Sequence, residues 1–237
     1  MNEMQLSIVE PFTSPTWGSR FVVFSSNTGT PIPEDRVQEY LARCCKYAKL
    51  HGVWLVPERF VFSRSQCMCI INPGGKALGA QKAIYSSPSF KLPTEEKNTD
   101  IDVVSTEFGG VFLCVDADVY HPEVCCIACG MGAQIIICSQ TIRREDYSSH
   151  MVLNGAWNAA QLTGACVIAV SDQFNCVSVP IDATPARDGF LNPPSLKMPM
   201  TQKIRVSGND RLRRPKPLNR RFYAIHRKEL VKADAPD

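Results

Sequence analysis

The chain has 237 residues, of which 44% are hydrophobic and 21% charged, with a formal net charge of +3 and 11 cysteines. That length suits one large domain or two small ones and buries a sizeable core without covalent staples. The apolar fraction excludes a disordered chain, and the longest apolar stretch (124–138), broken by Gly130, Gly132 and Gln134, is too short to span a membrane. The first residues, Met1-Asn2-Glu3-Met4, carry neither a basic region nor an apolar one, so no secretory signal is read and the expected location is cytoplasmic. The cysteines are odd in number, and Cys44, Cys45, Cys67, Cys69, Cys138, Cys166 and Cys176 sit inside apolar runs. They read as reduced core residues, because a free thiol behaves as a small hydrophobe.

In chain order, residues 5–9 and 21–24 have the apolar, β-branched character of strands. The segment 34–50 is the clearest helix: Val37, Tyr40, Leu41, Cys44 and Ala48 form one apolar stripe, Pro33 precedes it and Gly52 follows. Residues 53–56 predict a buried strand, and 67–71 and 76–82 two arms of a hairpin around Asn72-Pro73-Gly74-Gly75. The stretch 86–102, with Pro88 and Pro93, is aperiodic and polar and predicts a surface loop. Strands follow at 110–115 and 134–138, separated by a helix over 122–130 that opens on its proline. A helix capped by Ser149 is expected to run to Leu162 and stop at Gly164, followed by strands at 165–170 and 176–181. Beyond Pro185, prolines and basic residues dominate and no regular structure is predicted. The alternation of strands and helices predicts an α/β layered domain with mixed sheets, and no internal repeat is visible.

Cys114 stands apart from the other cysteines. It ends the strand Gly110-Val111-Phe112-Leu113, and Pro122-Glu123 opens the next helix, a setting in which a helix N-terminus lowers a thiol's pKa. Position alone is equally compatible with one more buried small residue. The order of motifs says more. Phe112-Leu113-Cys114-Val115-Asp116, His121-Pro122-Glu123 and Gly132-Ala133-Gln134-Ile135-Ile136-Ile137 resemble the nucleophile region of the nitrilase superfamily of carbon–nitrogen hydrolases. Upstream, Trp54-Leu55-Val56-Pro57-Glu58-Arg59, then Asn72-Pro73-Gly74-Gly75-Lys76 and Leu78-Gly79-Ala80-Gln81-Lys82, are similar to the family's hairpin region. Residues 157–170 look like its later helix and strand, and Arg220-Arg221-Phe222-Tyr223 resembles the arginine-rich tail of some members, so the likeness spans 21–223.

The resemblance implies a four-layer αββα sandwich, usually a homodimer, with a Glu-Lys-Cys triad acting on a small amide, carbamoyl compound or nitrile and needing no metal or organic cofactor. It carries over Cys114 as nucleophile and Lys82 as the cation that steadies developing negative charge. Three departures weaken the implied activity. Ser26 stands where the family's glutamate belongs, and a hydroxyl is no general base near neutral pH. Glu58 is a poorer substitute, since it lies on a strand matching a non-catalytic family strand. No acid follows Lys82 closely: 86–90 has none, and Glu95 and Glu96 come later. Only about eleven residues, including Pro11 and Pro15, separate the first two strands, so the family's first outer helix is expected to be missing.

Two further signals are weighed. Cys126-Ile127-Ala128-Cys129 forms a CxxC, but inside an apolar helix and with His51, His121, His150 and His226 scattered, so a zinc or redox site is not expected. The segment 203–228 has a net charge of +9, leaving −6 for the rest, and divides the chain into a domain at 1–202 and a basic tail at 203–237. Contact with an acidic partner subunit accounts for that split better than nucleic acid does, because only Phe222 and Tyr223 interleave the charges. The expected protein is a carbon–nitrogen hydrolase-like chain whose hydrolysis is weak or lost. The alternatives are an active amidohydrolase with another carboxylate as base, or a non-catalytic binding or assembly subunit that pairs with itself or with an intact relative.

Overall fold

The computed structural model describes residues 2–25, 28–85 and 98–206. Its frame is a pair of mixed sheets. The first follows the order β13-β1-β2-β3-β5-β4, with β6 also paired to β5, and the second the order β12-β11-β10-β9-β8-β7. The first holds β1 (Asn2–Val9), β2 (Phe21–Phe24), β3 (Trp54–Val56), β4 (Phe60–Phe62), β5 (Ser65–Ile71) and β6 (Ala77–Lys82). The second holds β7 (Val103–Thr106), β8 (Gly109–Val115), β9 (Ala133–Gln140), β10 (Cys166–Ser171), β11 (Asn175–Ser178) and β12 (Phe190–Ser195). The last strand, β13 (Met200–Val206), returns to the first sheet.

Alternation along each strand divides its side chains between two layers. Met4, Leu6 and Ile8 of β1 and Phe21 and Val23 of β2 meet Leu113, Ile135 and Ile168 of the second sheet in the core between the sheets. On the outer face of the first sheet, Val22, Phe24 and Leu55 pack on Tyr40, Cys44 and Tyr47 of α1 (Val37–His51). On the outer face of the second, Phe112, Ile136 and Val167 pack on α2 (Pro122–Gly130) and on the run formed by α3 (Ser149–Val152), a π-turn (Leu153–Trp157) and α4 (Asn158–Thr163). The result is the expected αββα order of layers. Ser148, with extended backbone, rather than Ser149, stands at the start of α3.

Parallel neighbours need a crossover, and three are helical: α1 joins β2 to β3, α2 joins β8 to β9, and the α3–α4 run joins β9 to β10. The fourth parallel pair, β1 with β2, is joined by turns alone. The outer face of β1 explains why a helix is dispensable there. Ser7 is buried under Thr16, which also meets Thr201 across the β1–β13 register, and Glu3 pairs with Lys203 at 2.7 Å. That face is polar and has no apolar area for a helix to cover.

The end of the described chain differs from expectation. β12 and β13 lie beyond Pro185, where no order was predicted. β12 is an edge strand, which tolerates Pro193 and Pro194 because its outer N–H groups need no partner. β13 hides its pattern under basic residues: Met200, Ile204 and Val206 point inward while Lys203 and Arg205 face out. The first sheet therefore runs past residue 202, and the rest of the basic segment lies outside the described residues. The short edge strands β4 and β7 were also unpredicted.

One close approach fixes the β8–β9 pairing. A Cβ on Gly110 would collide with the carbonyl oxygen of Gly132. Gly110→Ala is expected to cost about 1–3 kcal/mol, as overpacking does, with a lower urea midpoint at unchanged m-value as the measurement.

Candidate functional site

Cys114 lies in β8 opposite Cys138 of β9, with no exposed surface. Its side chain belongs to the layer between the second sheet and the helices, where Cys125 of α2 joins it. Burial raises the thiol well above its ordinary value, and the neighbouring thiols of Cys125 and Cys138 raise it further. The helix-terminus effect expected from the sequence is outweighed, because desolvation opposes a thiolate wherever no cation compensates.

Lys82 ends β6 directly opposite Cys67 of β5. Directly opposed residues share a face, and Cys67 faces α1. The Lys82 charge acts on that thiol, favouring its ionised form, although burial still raises Cys67 to about 11. Lys82 and Cys114 thus face opposite outer layers, with both sheets between them. The next residue to point into the core between the sheets is Ala83. Ser26 lies outside the described residues.

The charged groups that do meet at the strand ends are ones the sequence reading passed over. Arg59, between β3 and β4, is 2% exposed. Its Nε donates to Ser139 Oγ at 3.2 Å, and Nη1 donates to Gln66 Oε1 at 2.6 Å and stands 3.5 Å from Asp116 Oδ1. Its Nη2 donates to the Gly29 carbonyl at 2.8 Å and to the Thr141 hydroxyl. A guanidinium has five N–H donors, and five partners stand around this one. Burial lowers the Arg59 pKa and the Asp116 carboxylate opposes that shift.

Asp116 follows β8 in a left-handed conformation (φ 51°), uncommon for a side chain with a Cβ. Its Oδ1 accepts the Thr141 N–H at 2.9 Å, while Oδ2 is buried with no hydrogen-bond partner among the described residues. The signal was present in the sequence as two aspartates, Asp116 and Asp118, directly behind an apolar strand, and as an arginine behind Pro57-Glu58.

Between these strand ends lies a cavity of about 20 Å³ whose walls include Phe24, Ser25, Glu58, Arg59, Ser139 and Ser171. Glu58, the substitute base weighed from the sequence, is held there by the Tyr40 hydroxyl, which donates to Oε2 at 3.0 Å and accepts the Glu58 N–H at 3.1 Å. Ser25 donates to Asn175 Oδ1 at 2.6 Å and so links the two sheets. Gly29 also lines the cavity. With φ at 61°, it presses so close that an added Cβ would stand 2.7 Å from Asp172 Cγ, and Thr141 donates to its carbonyl at 2.6 Å.

Beside this site, Asp118 fastens the end of β6. Its carboxylate accepts N–H bonds from Ile84 at 3.1 Å and from Tyr85 at 2.8 Å. The Tyr85 ring stacks on His121 at 3.3 Å, and its hydroxyl donates to Glu123 at 2.6 Å. Burial raises the Asp118 carboxyl to about 7, against the opposing pull of these backbone donors.

No family model matches the sequence, and no curated protein matches it. Solved structures match in fold. An amidase of Nesterenkonia AN1 from the nitrilase superfamily, in a variant altered at one cysteine, gives a TM-score of 0.67 at 14% identity, covering 92% of this chain and 97% of its own. A double variant of the amidase from Nesterenkonia sp. AN1, in complex with acrylamide, gives 0.67 at 15% identity over 93% and 97%. A third structure of that amidase shows the acetamide moiety of fluoroacetamide covalently added at the active site cysteine, with a TM-score of 0.64 at 14% identity over 92% and 96%. The chain has the fold of nitrilase-superfamily amidases.

Two outcomes are expected from the charged groups. Arg59→Met leaves Asp116 buried without its cation and is expected to cost about 3–5 kcal/mol, whereas replacing both partners with apolar residues recovers much of that loss; chemical denaturation of the single and double variants measures both. The Asp118 pKa stands above its unfolded value of about 3.9, so the folded state binds the extra proton between roughly pH 4 and 7. This group's contribution to stability therefore falls as pH rises through that window and is level above it. The stability of the unaltered protein relative to Asp118→Asn is expected to increase from pH 8 to pH 5, by at most about 1.4 kcal/mol per pH unit; an unchanged difference would contradict the assignment.

Proposed function

We propose that this chain keeps the architecture of a carbon–nitrogen hydrolase but not its ordinary hydrolysis, and works as a non-catalytic binding or assembly subunit. The observation that carries this is the surroundings of Cys114. An attacking thiol needs a low pKa, a neighbouring base and room for a carbonyl carbon. The groups around this one are two more thiols and a helix layer, and its pKa moves upward. Lys82, the expected partner, faces the opposite outer layer beside Cys67.

An active hydrolase with a substitute base would need a carboxylate beside the Cys114 thiol, where Cys125 and Cys138 stand instead. Glu58 and Asp116 belong to a different place, the strand-end cavity, and Asp116 is committed to Arg59. Ser26 in the glutamate position supports the same reading, because it removes the proton relay that both halves of an amide hydrolysis use. What remains of the site is the cavity, which serves for binding a small polar ligand. On this reading the protein acts in the cytoplasm, as a homodimer or beside an intact relative.

The test borrows the ligands of the amidase structures. Purified protein is incubated with acetamide, acrylamide and butyramide, the last also bound by a variant of that amidase, and released ammonia is measured. Fluoroacetamide labelling is followed by intact mass. No ammonia above the blank and no adduct at Cys114 are expected, with Cys114→Ala indistinguishable from the unaltered protein. Turnover or an adduct that Cys114→Ala abolishes would overturn the proposal.

A further inference from the structure

The size and the charge of the strand-end cavity together restrict what it can hold. About 20 Å³ is room for one water-sized species and far less than a drug-sized ligand needs. Two charged side chains line it, Glu58 and Arg59. Arg59 has no donor left for a ligand, since Ser139, Gln66, Asp116, Gly29 and Thr141 surround its five N–H groups. Its charge is matched by Asp116. An anion would therefore find no free guanidinium donor and would meet the Glu58 carboxylate.

The remaining polar atoms of the wall are mostly acceptors. Ser25 spends its proton on Asn175 and Ser171 spends its own on the Phe174 carbonyl, so Ser25 turns oxygen lone pairs toward its surroundings. Glu58 adds a full negative charge, oriented by Tyr40. A water-sized ligand that is positively charged and rich in donors satisfies such a wall. An alkali cation fits it less well, because a hard cation takes a shell of several oxygens, and the carbonyl of Gly29 is already engaged by Arg59 and Thr141. Phe24 and Val170 supply apolar wall beside the acidic group, suited to the first carbons of an alkyl chain.

We propose that this cavity binds a protonated primary-amine group, either the ammonium ion itself or the head of a short alkylamine, with Glu58 as counter-ion and the Ser25 oxygen as a further acceptor. The ligand stays unmodified: no bond forms or breaks. This rests on the binding reading given above, yet the two fail separately. Amide turnover would overturn the loss of hydrolysis and leave this proposal standing, because amine binding is read with no amide present.

The experiment follows the melting temperature of the full-length protein at neutral pH. Ammonium chloride and methylammonium chloride are compared with sodium, potassium and tetramethylammonium chlorides at matched ionic strength. A saturable rise is expected for ammonium, for methylammonium or for both, and whichever responds identifies the free ion or the alkylamine as ligand. The three control salts should show no saturable rise, and Glu58→Gln should weaken the response at least about tenfold. Equal responses to all salts, a potassium response as large as that to ammonium, or a response unchanged in Glu58→Gln would each overturn the proposal. Should that variant fail to fold, nitrogen-15-labelled ammonium on the unaltered protein decides. A bound, exchange-protected ammonium signal that methylammonium or unlabelled ammonium displaces supports the site, and its absence at high ammonium refutes it.

Discussion

The contact on which this site depends is the buried ion pair between Arg59 and Asp116. Arg59 leaves the first sheet, crosses to the second and gathers groups from four separate places: Gly29 after β2, Gln66 in β5, Asp116 after β8, and Ser139 with Thr141 at the end of β9. A guanidinium suits this role because its donors are fixed in a plane and spread over several directions. Burying it is costly, and that cost is met only when charge and hydrogen bonds are supplied together. Here Asp116 supplies the charge and the remaining partners accept the other protons. The strand ends, where a fold of this kind has space for a ligand, are consequently tied to one another.

That tie has consequences for chemistry. Asp116 adopts a left-handed backbone at the junction of β8 with the following turn, and strained junctions of this sort persist only where surrounding contacts enforce them. Its carboxylate is anchored to Arg59 and to the Thr141 N–H. Meanwhile the thiol two residues earlier turns the other way, into a dry layer of helices. A nucleophile in such a layer has neither the water nor the compensating charge that would keep it ionised. The amidase fold and the absence of an amidase-like reactive cysteine are therefore compatible in one chain: the first depends on alternating apolar strands, the second on which residue occupies one strand end.

The polar outer face of β1 and β13 makes a related point about layers. In this fold, helices cover apolar sheet surface, and the connection from β1 to β2 has none to cover because Ser7, Thr16 and Thr201 satisfy one another. The architecture tolerates loss of an outer helix where the strand beneath it has become hydrophilic. The basic residues of β13 belong to the same surface, and two of them, Lys203 and Arg205, pair with Glu3.

Much of the frame was legible in the sequence. The stripe on α1, the hairpin signal at 72–75 and the short apolar strands before Pro122 and Gly164 carry their own periodicity, which depends only on local geometry. Hence the α/β class, the layers and the likeness to nitrilase-superfamily enzymes could be read in advance. β12 and β13 could not, since edge position excuses the prolines of one and pairing with the distant β1 gives the other its inward face. The site was misjudged for a similar reason. Cys114 and Lys82 each end a strand at a plausible spacing, but a one-residue step in a strand sends a side chain to the opposite face. Only the packing of two sheets decides that Arg59 and Asp116 look inward and meet, while Cys114 and Lys82 look outward and do not. Sequence determined which elements form; the facing of their side chains, and with it the chemistry at the strand ends, was decided by burial and long-range pairing.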